Sequence, residues 1–323
     1  MQQLHNLFKD VLENGTWKEN RTGVRTISVP GAHMRFNLQK GFPAVTSKKL
    51  AWKAVRGEGI RFLQGKNSAK DFREFDCKVW DQNANENKDW LSNPYREGED
   101  HLGSVYGVQW RNWPAFKVLR RDNAKQIMDA KSKGYRVIGN TEDPEFGPSL
   151  ILYKAVDQIQ YCLDTIKNNP NDRRILFHGW NWAQLDEMAL PPCHLLYHFI
   201  PDPQSKEMSL CLYIRSNDLG LGAPFNIAEA AFFLHLFCRF TGYTPKWLSY
   251  FIGDAHIYEN HLDMVTTQLS REPLPLPTLK IADEVPKHGD AGTFSEWINS
   301  LRPDQFELEN YNHYAPITAP MAV

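Results

Sequence analysis

The sequence predicts an α+β fold with a mixed, largely buried β-sheet core layered with helices. Three observations carry the prediction. Strand-like and helix-like segments alternate irregularly, with no repeat. Leu210, Leu212 and Ile214 alternate with Ser209, Cys211, Tyr213 and Arg215, giving a strand with one apolar face. Pro224 to Phe240 is an almost wholly apolar helix that needs a covering layer on most sides.

Along the chain, Leu4, Leu7, Phe8, Val11 and Leu12 recur at helical spacing, and Gly15 marks the stop. Arg25 to Leu38 reads as strands around Pro30-Gly31, and Lys48 to Gln64 as a helix closed by Gly65. Residues 77–115 mix Asn, Trp, Gly and charge, which predicts loops and short elements. Residues 117–149 read as a surface insertion with one short helix, Ala124 to Lys133. They are too poor in large apolar residues to bury a core. Leu152, Val156, Ile159, Leu163 and Ile166 predict a helix. Strands are expected at Arg174–Trp180, His194–Ile200, Ser209–Arg215 and Trp247–Tyr258, then a helix from His261 to Arg271. A proline-rich tail ends the chain. The whole reads as a single domain spanning 1–323.

The 323 residues are 42% hydrophobic, and Lys+Arg 37 against Asp+Glu 38 leaves a net charge of −1. That balance argues against a dedicated nucleic-acid-binding protein, whose affinity comes from neutralising phosphates. No apolar run approaches the roughly 20 residues of a membrane span. The longest candidate is cut by Glu229, His235 and Arg239. The N-terminus lacks a signal-peptide pattern. Five scattered cysteines, none at C-x-x-C spacing, read as reduced thiols in a cytoplasm.

Pro191-Pro192-Cys193-His194 puts a cysteine at a sheet margin, because proline cannot donate to a ladder. Cys193 is then either a buried structural thiol or a nucleophile. The second role needs nearby positive charge, which Arg173, Arg174 or Arg215 could supply if strand ends converge. A zinc site on Cys193, His194 and His198 lacks a second ligand pair, and neighbouring strand residues face opposite sides. Arg215-Ser216-Asn217-Asp218 ends an apolar strand with groups suited to phosphate oxygens. Asn226 is either a helix cap or a reader of a pyrimidine edge. Glu58, in an otherwise apolar helix, is either solvent-facing or a cavity-wall carboxylate whose burial makes it a proton carrier.

Together these blocks resemble the thymidylate synthase family. The resemblance rests on Ala189 to His194, Arg215 to Asp218, Leu221 to Asn226, Asn20-Arg21-Thr22-Gly23, Val105-Tyr106-Gly107, Asn171 to Arg174, Gly253 to Tyr258 and the ending Ala319-Pro320-Met321-Ala322-Val323. It covers the whole chain apart from 117–149. It implies conversion of dUMP to dTMP, with 5,10-methylenetetrahydrofolate giving both carbon and hydride, through a Cys193–C6 adduct. It implies phosphate binding by Arg21, Arg215 and Ser216, joined by Arg173 and Arg174 across a homodimer. Asn226 would read the uracil and His256 and Tyr258 the ribose. Tyr106 would assist proton loss from C5, and Glu58 would manage proton traffic at O4 and the folate. Asp218, Val79, Trp80 and Gly222 would contact the folate, and Ala322 and Val323 would close over it.

Departures from the family pattern are Asn83, in place of a second tryptophan, and Gly59 and Arg61, in place of apolar residues. Asn217 stands where cysteine is frequent. Two rivals remain at this level. One is a pyrimidine-nucleotide hydroxymethylase of the same superfamily, acting on dUMP or dCMP, which the intact C-terminal lid and Asn226 disfavour. The other is a non-catalytic RNA-binding regulator, for which no basic stripe with interleaved aromatics appears.

Overall fold

The computed structural model describes residues 1–145 and 147–320. The first part holds α1 (Gln2–Asn14), β1 (Thr16–Lys18), β2 (Thr26–Asn37), α2 (Trp52–Leu63), α3 (Ala69–Arg73), α4 (Asp81–Asn85), α5 (Lys88–Leu91) and α6 (Tyr106–Arg111). The middle holds β3 (Trp113–Arg120), α7 (Ala124–Ser132), β4 (Arg136–Asp143), β5 (Gly147–Val156), α8 (Gln158–Asn168) and β6 (Leu176–His178). Then come β7 (His194–Asp202), β8 (Glu207–Asp218), α9 (Gly222–Thr241), β9 (Thr244–Tyr258), α10 (Leu262–Leu269), β10 (Thr278–Ile281), α11 (Phe294–Ser300) and β11 (Phe306–Glu309).

A six-stranded mixed sheet runs β1-β2-β9-β8-β7-β6. All its pairs are antiparallel except β8 with β9, which α9 connects as a crossover. Met208, Leu210, Leu212 and Ile214 on β8 and Leu248, Tyr250 and Ile252 on β9 turn inward against α9. The opposite face keeps Ile200 (47% exposed), Tyr213 (42%) and Phe251 (39%) at the surface. The α+β prediction holds, and the expected alternation on β8 is the alternation of the two faces.

Three local expectations need correction. The helix expected from Lys48 begins at Trp52, and Lys48 to Ala51 instead line a cavity. Leu152 and Val156 belong to β5, and the helix starts at Gln158 under an Asp157 cap. Positions 152 and 156 match a helical period by coincidence; on β5 only Ser149 and Leu152 are buried, so no two-residue period announces the strand. The insertion carries more than a helix, because β3, β5 and β4 form an antiparallel sheet beside α7. Phe116 on β3 (60% exposed) and Met128 on α7 (71%) lie at the surface.

Two glycines set close approaches. At Gly59, where α2 crosses α9, a Cβ would come 2.9 Å from the Phe233 ring and 3.3 Å from Phe232. The two phenylalanines thus fill the volume that a larger residue 59 would take. Gly103 has φ +75°, and a Cβ there would lie 1.9 Å from the Glu187 carbonyl oxygen. Gly103→Ala is expected to destabilise the fold by about 2–4 kcal/mol, from backbone strain plus a forced shift of the Glu187 carbonyl beside the Gly103–Met188 bridge. A lowered urea midpoint, with an unchanged slope, is the measurement that checks it.

Candidate active site

The parallel register of β8 and β9 builds the floor. Ser216 pairs with Asp254 and Asp218 with His256, so the ends of the two strands present Arg215, Ser216, Asp218, His256 and Tyr258 together. Cys193 precedes β7 at the same edge, where the Arg215 amide donates to its carbonyl at 3.0 Å. The Tyr106 hydroxyl accepts from the Cys193 amide at 2.8 Å. Arg215 Nε donates to the Pro192 carbonyl (2.8 Å) and Nη2 to the Pro191 carbonyl (3.1 Å), while Nη2 lies 3.8 Å from Cys193 Sγ. The guanidinium thus holds the two proline carbonyls that lead into Cys193.

The expected charge effect on the thiol is present but outweighed. Burial pushes the Cys193 thiol up, while Arg215, Arg21 and the Tyr106 hydrogen bond pull it down. The net direction is upward, so the ligand-free chain holds a thiol that is not preionised. Hydrocarbon surroundings cost a thiolate more than two nearby cations return.

Two cavities meet at Cys193. One, of about 800 Å³, is lined by Arg21, Arg215, Ser216, Asp254, His256 and Tyr258. The other, of about 510 Å³, is lined by Glu58, Val79, Trp80, Tyr106, Gly222 and Asn226 among others. Leu190, Cys193, Ser216, Asp218, Tyr258 and Asn83 border both. Asn83 thus sits at the junction, where a tryptophan was expected from the family.

Glu58 resolves as the cavity-wall carboxylate and not the solvent-facing one. It is 5% exposed, and Trp80 Nε1 donates to its Oε1 at 2.6 Å. Burial raises it to about 7, against the lowering effect of hydrogen bonds from Glu229 and Trp80. Asn226 stands within a buried chain: the Tyr250 hydroxyl donates to Asn217 Oδ1 (2.7 Å), and Asn217 Nδ2 donates to Asn226 Oδ1 (3.0 Å). Asn217, at the position where cysteine is frequent, thus bridges Tyr250 to Asn226. At Gly222 a Cβ would lie 3.3 Å from Asn217 Nδ2, so the glycine leaves this pair room.

Asp218 accepts from the Gly220 amide (2.8 Å) and the Leu221 amide (3.2 Å), and His261 Nδ1 lies 3.4 Å away. Burial pushes its carboxyl up, but His261, His256 and the Gly220 amide together hold it below the usual range. His256 Nδ1 is 3.1 Å from Asp254 Oδ1, which orients the ring.

The fold brings together every predicted contact residue except four. Arg173 and Arg174 lie exposed on the surface before β6, with Arg174 paired to Asp172, and line neither cavity. Ala322 and Val323 lie outside the described residues. Sequence reasoning passed over Lys48, Glu229 and His261 as site residues, and weighed His194 only as a zinc ligand. Lys48 Nζ donates to the Gly220 carbonyl at 2.8 Å, and burial lowers it to about 8. His261 Nε2 lies 2.8 Å from the Pro320 carbonyl, tying the C-terminal segment to Asp218. Glu229 had left a signal, an acid interrupting an apolar helix.

The thymidylate synthase family model matches residues 2–323. The chain is 58% identical to a thymidylate synthase of Bordetella parapertussis, over the full length of both. It is 59% identical to one of Pseudomonas putida, again over all of both chains. Against the thymidylate synthase of Homo sapiens it is 37% identical, covering 98% of this chain and 88% of the human one. The chain belongs to the thymidylate synthase family and is a methyltransferase.

Proposed function

We propose that the chain binds dUMP in the larger cavity and 5,10-methylenetetrahydrofolate in the smaller, with Cys193 at their junction as the covalent nucleophile. The observation that carries this is the meeting of the two cavities at a sulfur 3.8 Å from a phosphate-suited guanidinium. Arg21, Arg215 and Ser216 hold the phosphate, with Arg173 and Arg174 of the partner subunit completing it in a homodimer. The exposed apolar sheet face at Ile200, Tyr213 and Phe251 supports such pairing. His256 and Tyr258 bind the ribose, and Asn226 reads the uracil edge. Val79, Trp80, Asp218 and Gly222 contact the folate.

In this reading the Cys193 thiolate adds to C6, and the electron pair moved to C5 and O4 makes C5 nucleophilic. C5 bonds to the folate's one-carbon unit, then loses its proton with help from Tyr106. Tetrahydrofolate leaves and returns a hydride to the exocyclic carbon. Release of Cys193 gives dTMP and dihydrofolate. Glu58 exchanges the proton at O4 and at the folate nitrogen. The chain acts as one catalytic unit in the cytoplasm, where five free thiols persist; among the described residues no helix is long and apolar enough to cross a membrane.

The test is dihydrofolate formation from dUMP and methylenetetrahydrofolate, followed by absorbance. 5-Hydroxymethyl-dUMP as the main product would overturn the reading. A pH profile probes Glu58. If the reactive form pairs a thiolate with protonated Glu58, its population rises with pH until the lower of the two groups ionises, then levels. The acid limb of kcat/KM should therefore break near pH 7, where Glu58 titrates. Glu58→Gln should lower kcat by about 10²-fold or more and move that limb upward, to the ionisation of the thiol.

A further inference from the structure

Glu229 lies inside α9, is fully buried, and borders neither cavity. Neither of its carboxylate oxygens has a hydrogen-bond donor among the described residues. An unpaired carboxylate in such surroundings takes up a proton instead of remaining charged. It then has one O–H to give.

The groups facing it come from several elements. Glu58 of α2 is within hydrogen-bonding reach once one of the two acids is protonated. From β7, His194 Nδ1 lies 3.5 Å from Oε2 and is itself 3.0 Å from the Tyr197 hydroxyl. Tyr250 on β9 and Cys77 before α4 also feel its charge. Burial lowers His194 to about 4, so near neutral pH it carries no charge to neutralise Glu229. Burial raises Tyr197, Tyr250 and Cys77, which stay neutral as well. The one neighbour that offers a charged acceptor is Glu58. Close passage of α2 over α9 at Gly59 holds the two acids against each other.

We propose that Glu229 is a positioning residue for the reaction: it remains a neutral acid and donates its proton in a hydrogen bond to the Glu58 carboxylate. With Trp80 Nε1 on Oε1, Glu58 then has two donors from the protein interior. Its rotamer is fixed towards the cavity, and its ionised form is stabilised enough to be reached near neutral pH. Burial drives Glu229 well above the usual carboxylate range, and the proximity of Glu58 drives it further, as this division of roles requires. The inference rests on the proton-exchanging role given to Glu58 above.

The experiment compares Glu229→Gln and Glu229→Leu with the parent. Gln keeps an N–H donor at this position; Leu keeps the volume but removes the donor. The ionisation of Glu58 is followed directly by carboxyl infrared difference spectra against pH, its band assigned by loss in Glu58→Gln. Folding of both variants is checked by dUMP binding. The expected result is that Glu58 in the Leu variant titrates about one to two pH units higher, while the Gln variant titrates within a few tenths of the parent. The acid limb of kcat/KM should follow the same order. An unshifted Glu58 band in the Leu variant, or an equal shift in both variants, would overturn the proposal. So would a folded Glu229 that itself ionises below Glu58. If the band shifts as expected but the kinetic limb does not follow, the role assigned to Glu58 fails and the pairing with Glu229 stands.

Discussion

Cys193→Ala lowers kcat for dTMP formation by at least about 10⁴-fold while leaving the affinity for dUMP within about tenfold. The expectation follows from what the sulfur does and does not do. Among the described residues that border both cavities, Cys193 alone carries a thiol, the soft nucleophile that the proposed attack on C6 needs. No other cysteine substitutes. Cys77, Cys162 and Cys238 are buried, and Cys211 lines neither cavity. In the proposed binding mode the nucleotide is held by Arg21, Arg215, Ser216 and His256, and without Sγ Arg215 still keeps its bonds to the Pro191 and Pro192 carbonyls. The measurements are dihydrofolate formation for kcat and calorimetry for dUMP. Retention of more than about one per cent of the turnover would remove covalent catalysis by Cys193 from the mechanism.

Arg215→Lys is expected to lower kcat/KM for dUMP by about 10²–10³-fold, although charge is conserved. Arg215 holds the Pro191 and Pro192 carbonyls and faces Sγ with one planar fork. Its guanidinium also lies 5.6 Å from the Trp180 ring centre. A lysine ammonium is a single point that cannot span both carbonyls and the sulfur. The sign of the thiol effect is definite. Arg215 pulls the Cys193 thiol down against burial, so weakening it moves the thiol further up. The pH midpoint of alkylation by iodoacetamide should therefore rise in the variant. A kcat/KM within threefold of the parent, with an unmoved alkylation midpoint, would show that the fork contributes little. Loss of kcat/KM through KM alone would assign Arg215 to binding and not to the thiol.

These two residues differ in how far the sequence exposed them. Pro191-Pro192-Cys193 placed the sulfur at a sheet margin because proline lacks a donor, and the structure has Cys193 just before β7. The alternation on β8 put Arg215 on the polar face at the strand's end. Arg215 meets Cys193, however, because β7 pairs antiparallel with β8, a register that no local pattern states.

The wrong expectations have physical causes as well. Leu152 and Val156 fit a helical period, yet their neighbours across β3 and β4 make them strand. A helical spacing of apolar residues says nothing of cross-strand partners, and here the pairing decides. The thiol was expected to be lowered by arginines. Burial, which the sequence does not disclose, exceeds their effect.

By itself the sequence determined the α+β class, the apolar helix behind the sheet and the residue types available to the candidate site, because side-chain type and short-range periodicity are local properties. Only the tertiary structure decided which groups meet and in what dielectric. The parallel β8–β9 register aligned Ser216 and Asp218 with Asp254 and His256. The approach of α2 to α9 placed Glu58 beside Glu229, 171 positions away, and made a pair of buried acids from two residues that read separately as an ambiguous glutamate and a break in a hydrophobic run. Ionisation depends on burial and on neighbours distant in sequence, and both arise only when the chain has folded.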